Sequence, residues 1–247
     1  MNNFIIPFLF TTIAGLSTLI GAFFVFLKIE KDKLIKYSLA FAAGVMIGVS
    51  MFDLLKESVS ELTKVMSKNI SFIYIIIFLS IGLIIPIILD KKINEKKSQN
   101  KLYKVGILSM IAIILHNIPE GMATFISTEN NISLGIAITT AIALHNIPEG
   151  ISIAIPIYAS TNSKKKAILM AFLSGISEPI GGLIAYLILS PFINNIIMGC
   201  LLSIIIGIMI SISLIELLPT SLKYKNKSKT IIMFLIGIIF MYILGKL

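Results

Sequence analysis

Two identical hexapeptides, His116-Asn117-Ile118-Pro119-Glu120-Gly121 and His145-Asn146-Ile147-Pro148-Glu149-Gly150, contain both histidines of this 247-residue chain. In each, His and Glu stand four positions apart, which on a helix puts imidazole and carboxylate on one face about one turn apart. Asn117 and Asn146 point roughly 100° around from the histidines and can serve a neighbouring position. A third acid, Glu178, precedes Pro179 and the pair Gly181-Gly182. Carboxylate oxygen and imidazole nitrogen are ordinary ligands of Zn²⁺, Fe²⁺ and Mn²⁺. Several carboxylates together can hold two ions through shared oxygens.

The surroundings of these groups make the pattern informative. The chain is 57% hydrophobic and 13% charged, with a mean hydropathy of +0.99; a soluble domain carries about a quarter charged residues. This excludes a soluble enzyme and, despite a net charge of +9, a nucleic-acid binder, because the basic residues, all lysine, lie in short connectors between apolar runs. Apolar segments of spanning length, about 20 residues, fall near 4–27, 34–55, 70–89, 105–126, 132–158, 167–189, 194–217 and 230–245. Turns at Thr161-Asn162-Ser163 and Ser190-Pro191 punctuate them. Runs such as Ile73-Tyr74-Ile75-Ile76-Ile77-Phe78-Leu79 do not alternate in polarity as barrel strands must. The expectation is an all-α membrane protein of eight transmembrane helices in one domain. Span 1 lacks a basic leader and a small-residue cleavage site, and reads as a retained helix.

Lysine placement orients the spans. Lys28, Lys31, Lys33 and Lys36 follow span 1, Lys91, Lys92, Lys96, Lys97, Lys101 and Lys104 span 3, Lys164 to Lys166 span 5, and Lys223, Lys225, Lys227 and Lys229 span 7. Only Lys56, Lys64, Lys68 and Lys246 fall on the other side. The odd-numbered connectors are expected in the cytoplasm and both termini outside the cell membrane. The stretch 90–104 has neither His nor Cys and reads as a solvated connector. The lone Cys200 can form no intramolecular disulfide.

Glu120, Glu149 and Glu178 thus fall deep in hydrocarbon, where no span carries a lysine to answer them. An unpaired buried carboxylate costs several kcal/mol at least, roughly, or takes up a proton. Either these acids are protonated or an exogenous cation joins them. Pro119 and Pro148 cannot donate to the carbonyls of Leu115 and Leu144 and crowd those turns. A break is therefore expected beside each histidine, freeing carbonyls for a cation or water. Against a metal transporter stand an intramembrane metalloenzyme, for which the His-Glu-x-x-His motif is absent, and a haem or quinone protein, which has no use for the acids. A proton- or sodium-coupled transporter of another substrate, with the carboxylates as relays, is the main alternative.

A second repeat is less obvious. Residues 44–58 align with 207–221, with identity at Gly44/Gly207, Met46/Met209, Ile47/Ile210, Ser50/Ser213, Leu54/Leu217, Leu55/Leu218 and Ser58/Ser221, and Asp53 opposite Glu216. Spans 2 and 7 cross in opposite directions, as do spans 4 and 5. This is the pattern of an inverted-topology repeat, spans 1–3 with 6–8 and span 4 with span 5, a 3+2+3 arrangement. Asp53 is then expected near the outer mouth and Glu216 near the inner one, each either attracting cations or merely solvated. Met46, two turns from Asp53, is either core packing or a soft ligand.

The paired HNIPEG motifs, the Glu178-Pro179 of span 6 and the eight-span layout resemble the ZIP family of divalent-metal transporters, in particular its bacterial ZupT-like and GufA-like branch, over nearly the whole chain. The resemblance implies uptake of a divalent metal (Zn²⁺, with breadth toward Fe²⁺, Mn²⁺ and Cd²⁺) into the cytoplasm, and no catalysis or resident cofactor. It implies one metal position at Met46, His116, Glu120, His145 and Glu149. A second would adjoin it at Asn117, Glu120, Asn146, Glu149 and Glu178, the central glutamates bridging. Asp53 matches an entrance position. Asn146 stands where some relatives have Asp, which weakens the second position, and the His-rich loop common in eukaryotic members is absent. The expected partners are metal ions and the lipid bilayer, with a homodimer as the assembly to test.

Overall fold

The computed structural model describes residues 2–96, 101–189 and 194–246. Among them, eight helices are long and apolar enough to cross a membrane: α1 (Phe4–Phe26), α2 (Lys31–Thr63), α3 (Lys68–Leu89), α4 (Lys101–Asn130), α5 (Ile132–Thr161), α6 (Lys164–Leu187), α7 (Asn195–Ser221) and α8 (Lys227–Leu244). Helix is the outcome despite the many β-branched residues, because a chain surrounded by lipid must satisfy its backbone groups internally. Several helices run past the limits expected from hydropathy, α2 through Thr63 and α4 through Asn130, since polar residues can continue a helix beyond its apolar stretch. The turn expected at Ser190-Pro191 and the connector lysine Lys97 lie outside the described residues.

Short capped connectors hold the spans in register. A single residue, Asn131, separates α4 from α5, and its side chain accepts from the Leu134 N–H at 3.2 Å. Asn162 closes α5 in the left-handed conformation (φ 54°), and Ser163 caps α6 by accepting from Lys166 N–H at 3.2 Å. The tight turn at Asn131 obliges α4 and α5 to run antiparallel side by side, which brings the two hexapeptides to the same depth.

The helices form two groups. α1, α4, α5 and α6 pack on one another, as do α2, α3, α7 and α8, and α2 against α5 is the main contact between the groups. In lipid, close backbone approach replaces the hydrophobic effect as the source of helix association. Glycines mark these approaches in pairs. Gly44 of α2 lies against the Phe234 carbonyl and Gly237 of α8, and Gly207 of α7 lies against the Leu79 carbonyl and Gly82 of α3. Gly15 of α1 and Gly175 of α6 each face the other's carbonyl. α2 and α7 are tied by Ser58, whose hydroxyl donates to the Gly199 carbonyl and meets Ser203 Oγ, both at 2.8 Å. α3 and α8 bury only 17% of their apolar window, against 67% for α7, and so line the lipid side of their group.

The helix breaks expected at Pro119 and Pro148 do not occur: α4 and α5 run through both prolines. A missing N–H removes one bond from a helix of 30 residues, and neighbouring turns hold the geometry. π-helical turns occur instead in α2 and α7, at Ser50–Leu54 and Ile212–Leu217, and across the end of α6, at Ala185–Leu189. Such turns commonly mark functional positions, and those of α2 and α7 contain Asp53 and Glu216 respectively.

Candidate metal centre

The antiparallel α4–α5 pair interleaves its two motifs. His145 Nε2 lies 3.0 Å from Glu120 Oε1, and His116 Nε2 lies 3.3 Å from Glu120 Oε2 and 3.8 Å from Glu149 Oε1. The imidazole centroids are 6.0 Å apart. Nitrogens of His116 and His145 and a carboxylate oxygen of Glu149 all lie within 4.8 Å of one another, the spacing of a metal-ligand group. These side chains are buried, Glu149 completely and Glu120 at 12% exposure.

The hydrogen-bond inventory distinguishes this from a self-satisfied polar cluster. Among the described residues, both His Nε2 atoms, Glu120 Oε2, both oxygens of Glu149 and Glu178 Oε1 are buried without a hydrogen bond of acceptable geometry. The His–Glu separations of 3.0 and 3.3 Å are within ion-pair range. Buried polar atoms are otherwise nearly always paired. Several orphans converging on one point present a donor set for a cation.

The asparagines stand beside this group and join it to α1 and α6. Asn146 Nδ2 donates to Glu178 Oε2 at 2.8 Å and to the Ala14 carbonyl at 3.0 Å, and Asn117 Nδ2 donates to the Ser174 carbonyl at 3.4 Å. Glu178 is held close by glycine: Gly121 backs onto its carbonyl. Among the other sequence-derived candidates, Met46 is fully buried in the apolar core with Val45 and Val49.

A cavity of about 350 Å³ leads to the histidines from the end of the bundle that carries both chain termini. Its lining includes His116, Glu120 and His145 at the closed end, and Asp53, Glu57 and Gly245 toward the mouth. Asp53 is therefore on the approach to the cluster. Glu57 belongs with it but was not singled out from the sequence, although its position one turn after Asp53 on the same helix is the available signal. Glu216 lies elsewhere, lining a separate pocket of about 60 Å³ with Pro86, Ile87, Ser211 and Ile215.

Comparison with known proteins gives relatives over most of the chain. A family model described as "ZIP Zinc transporter" matches residues 90–245. The chain is 42% identical to the zinc transporter ZupT of Clostridium perfringens, over 98% of this chain and 95% of that protein. It is 43% identical to the zinc transporter ZupT of Streptococcus mutans, over 88% of each chain. Identity to the zinc transporter ZupT of Escherichia coli is 36%, over 87% of this chain and 86% of the relative. Twin His-x-x-x-Glu motifs buried on adjacent spans, within an eight-span chain matched nearly end to end, make this protein a member of the ZIP family.

Proposed function

We propose that the chain carries a divalent transition metal, Zn²⁺ foremost, across the cell membrane into the cytoplasm. The observation that carries this reading is the convergence of His116, Glu120, His145 and Glu149 atoms that have no hydrogen-bond partner among the described residues, with His116, Glu120 and His145 lining the cavity of about 350 Å³. Membership of the family makes the protein a carrier and not an enzyme, and the relatives it resembles are named as zinc transporters. A donor set of oxygen and nitrogen without thiolate does not exclude Fe²⁺, Mn²⁺ or Cd²⁺, and the usual affinity order favours Zn²⁺ over Mn²⁺ and Fe²⁺.

The ligands divide into two adjoining positions. The first takes His116, Glu120, His145 and Glu149, with the Met46 thioether as a soft fifth donor. The second takes Asn117, Glu120, Asn146, Glu149 and Glu178, the two central glutamates bridging. Metal enters past Asp53 and Glu57, exchanges water for imidazole and carboxylate, and leaves past Glu216. With seventeen lysines on the connectors after odd-numbered spans, those connectors face the cytoplasm and the cavity opens outward.

The two sides are related by an inverted repeat. The equivalent glycine crossings of α2 on α8 and of α7 on α3 support it, as do the matching π turns at Ser50–Leu54 and Ile212–Leu217. Uptake of ⁶⁵Zn²⁺ and ⁵⁵Fe²⁺ into proteoliposomes tests the function. Wild type is expected to load both ions and the double variant Glu120→Ala, Glu149→Ala neither; undiminished uptake by the double variant would refute the site.

A further inference from the structure

Equivalent contacts on either side of the α4–α5 pair define a local twofold relation. Asn146 donates to the Ala14 carbonyl of α1, and Asn117 to the Ser174 carbonyl of α6. Gly15 and Gly175 face one another, Gly21 meets the Ile147 carbonyl where Gly181 meets that of Ile118, and Gly150 backs onto the Thr18 carbonyl where Gly121 backs onto that of Glu178. One constant offset in residue number relates every α1 member to its α6 partner. By that offset the counterpart of Glu178 is Thr18.

Thr18 is completely buried, and its hydroxyl has no hydrogen-bond partner among the described residues. Among the buried threonines Thr139, Thr220 and Thr230 share this state. Thr11, Thr12, Thr124, Thr128 and Thr161 all return their hydroxyl to a carbonyl three or four residues earlier. For Thr18 the carbonyl four residues back is Ala14, which already accepts from Asn146. The Thr18 methyl lies toward Gly150. Asn117 Oδ1 and its counterpart Asn146 Oδ1 are both buried with no hydrogen-bond partner among the described residues, and it is Asn146 Nδ2 that binds Glu178.

We infer that Thr18 is a positioning residue of the central site, orienting one water in the shell of the ion held by Glu120, Glu149 and Glu178. The inference rests on the two-position reading above. A threonine hydroxyl ends two bonds short of a glutamate carboxylate, about 2.5 Å, and a hydrogen-bonded water fills such a gap. A neutral hydroxyl opposite Glu178 supplies an acceptor without a fourth carboxylate, which keeps the second ion weakly held and able to leave.

The test is equilibrium titration of purified full-length protein with Zn²⁺ and Cd²⁺, beside thermal unfolding of the metal-free form. Thr18→Val keeps shape and removes the hydroxyl. It is expected to weaken the second ion by about tenfold, in the range for loss of a supporting hydrogen bond at a metal, leaving the first ion and the metal-free melting temperature unchanged. Thr18→Ser is expected to restore the second ion, and Thr18→Glu to tighten it and slow uptake. Two ions bound by Thr18→Val as by wild type, while Glu178→Gln loses the second, would overturn the role of Thr18 alone. Retention of both ions by Glu178→Gln would overturn the two-position reading and this inference together. If Thr18→Val does not fold, Thr18→Glu decides: an unaltered second affinity overturns the inference.

Discussion

His145 Nε2 stands 3.0 Å from Glu120 Oε1, on the neighbouring helix and in the other copy of the motif. Each hexapeptide thus contributes half of a shared centre, and Glu120 contacts both imidazoles, at 3.0 and 3.3 Å. Glu120→Gln retains size and one acceptor oxygen but removes the charge that answers the cation. Zinc affinity, measured by titration of the purified protein, is expected to fall by more than the roughly 10–100-fold that loss of a supporting hydrogen bond costs a metal site. Glu149→Gln is expected to behave similarly, because both its oxygens lie at the same centre with no hydrogen-bond partner among the described residues.

In the proposed site, protons compete with the metal for these atoms. Imidazole nitrogen binds metal only when unprotonated and carboxylate only when ionised, so binding releases whatever protons the empty site holds. Lowering pH favours the protonated, empty form, and the sign is therefore weaker binding in acid. Each proton released contributes about a tenfold loss of apparent affinity per pH unit. Zinc titrations between pH 5.5 and 7.5 are expected to show this slope, with His145→Gln giving a shallower one. A slope unaltered in that variant would mean that His145 exchanges no proton with the metal.

The residues that make this centre were legible in the sequence for a simple reason: in hydrocarbon, polar groups are scarce and costly, so His116, Glu120, His145, Glu149 and Glu178 stood out against an apolar background. The spans were legible on the same ground. What depends on neighbouring helices was not. Pro119 and Pro148 looked like helix breaks, yet α4 and α5 continue through them, whereas the π turns of α2 and α7 have no proline within them. Thr18 carries no signal of its own. Its importance comes from Asn146 occupying the Ala14 carbonyl, a contact between distant parts of the chain.

The glycine crossings predict matched packing defects. A Cβ at Gly207 would run into the Leu79 carbonyl and Gly82, and one at Gly44 into the Phe234 carbonyl and Gly237. In both places the obstacle is backbone, which cannot rotate away. Gly207→Val and Gly44→Val are each expected to lower stability by about 1–3 kcal/mol, the usual cost of overpacking. Thermal unfolding in detergent checks this. The two losses should be similar if the crossings are equivalent.

Asp53 and Glu57 line the cavity without joining the His–Glu cluster, so on the proposed path their charges act on arriving ions more than on bound ones. Asp53→Asn and Glu57→Gln are expected to raise the KM for zinc uptake by roughly 3–10-fold, with little change in maximal rate, since focused charge raises local cation concentration. Raising ionic strength should reduce the difference between wild type and variants, because salt screens the exposed part of this field. A fall in maximal rate at unchanged KM would instead assign these acids to the transport step.

The proposed inverted repeat also predicts where the inward path opens. By the offsets that pair α2 with α7 and α4 with α5, Glu57 corresponds to Thr220 and Ile138, another wall residue of the same cavity, to Ser109. Thr220 and Ser109 are buried, and neither hydroxyl has a hydrogen-bond partner among the described residues. Glu216, the counterpart of Asp53, already borders a small pocket. A state open to the cytoplasm should wet both hydroxyls. In a Cys200→Ser background, S109C and T220C are expected to react with a membrane-impermeant thiol reagent applied from the cytoplasmic side of inside-out vesicles. A reagent added to the opposite face should leave them unmodified. Labelling from that opposite face would mean that these hydroxyls line the outer cavity and that the repeat does not map one path onto the other.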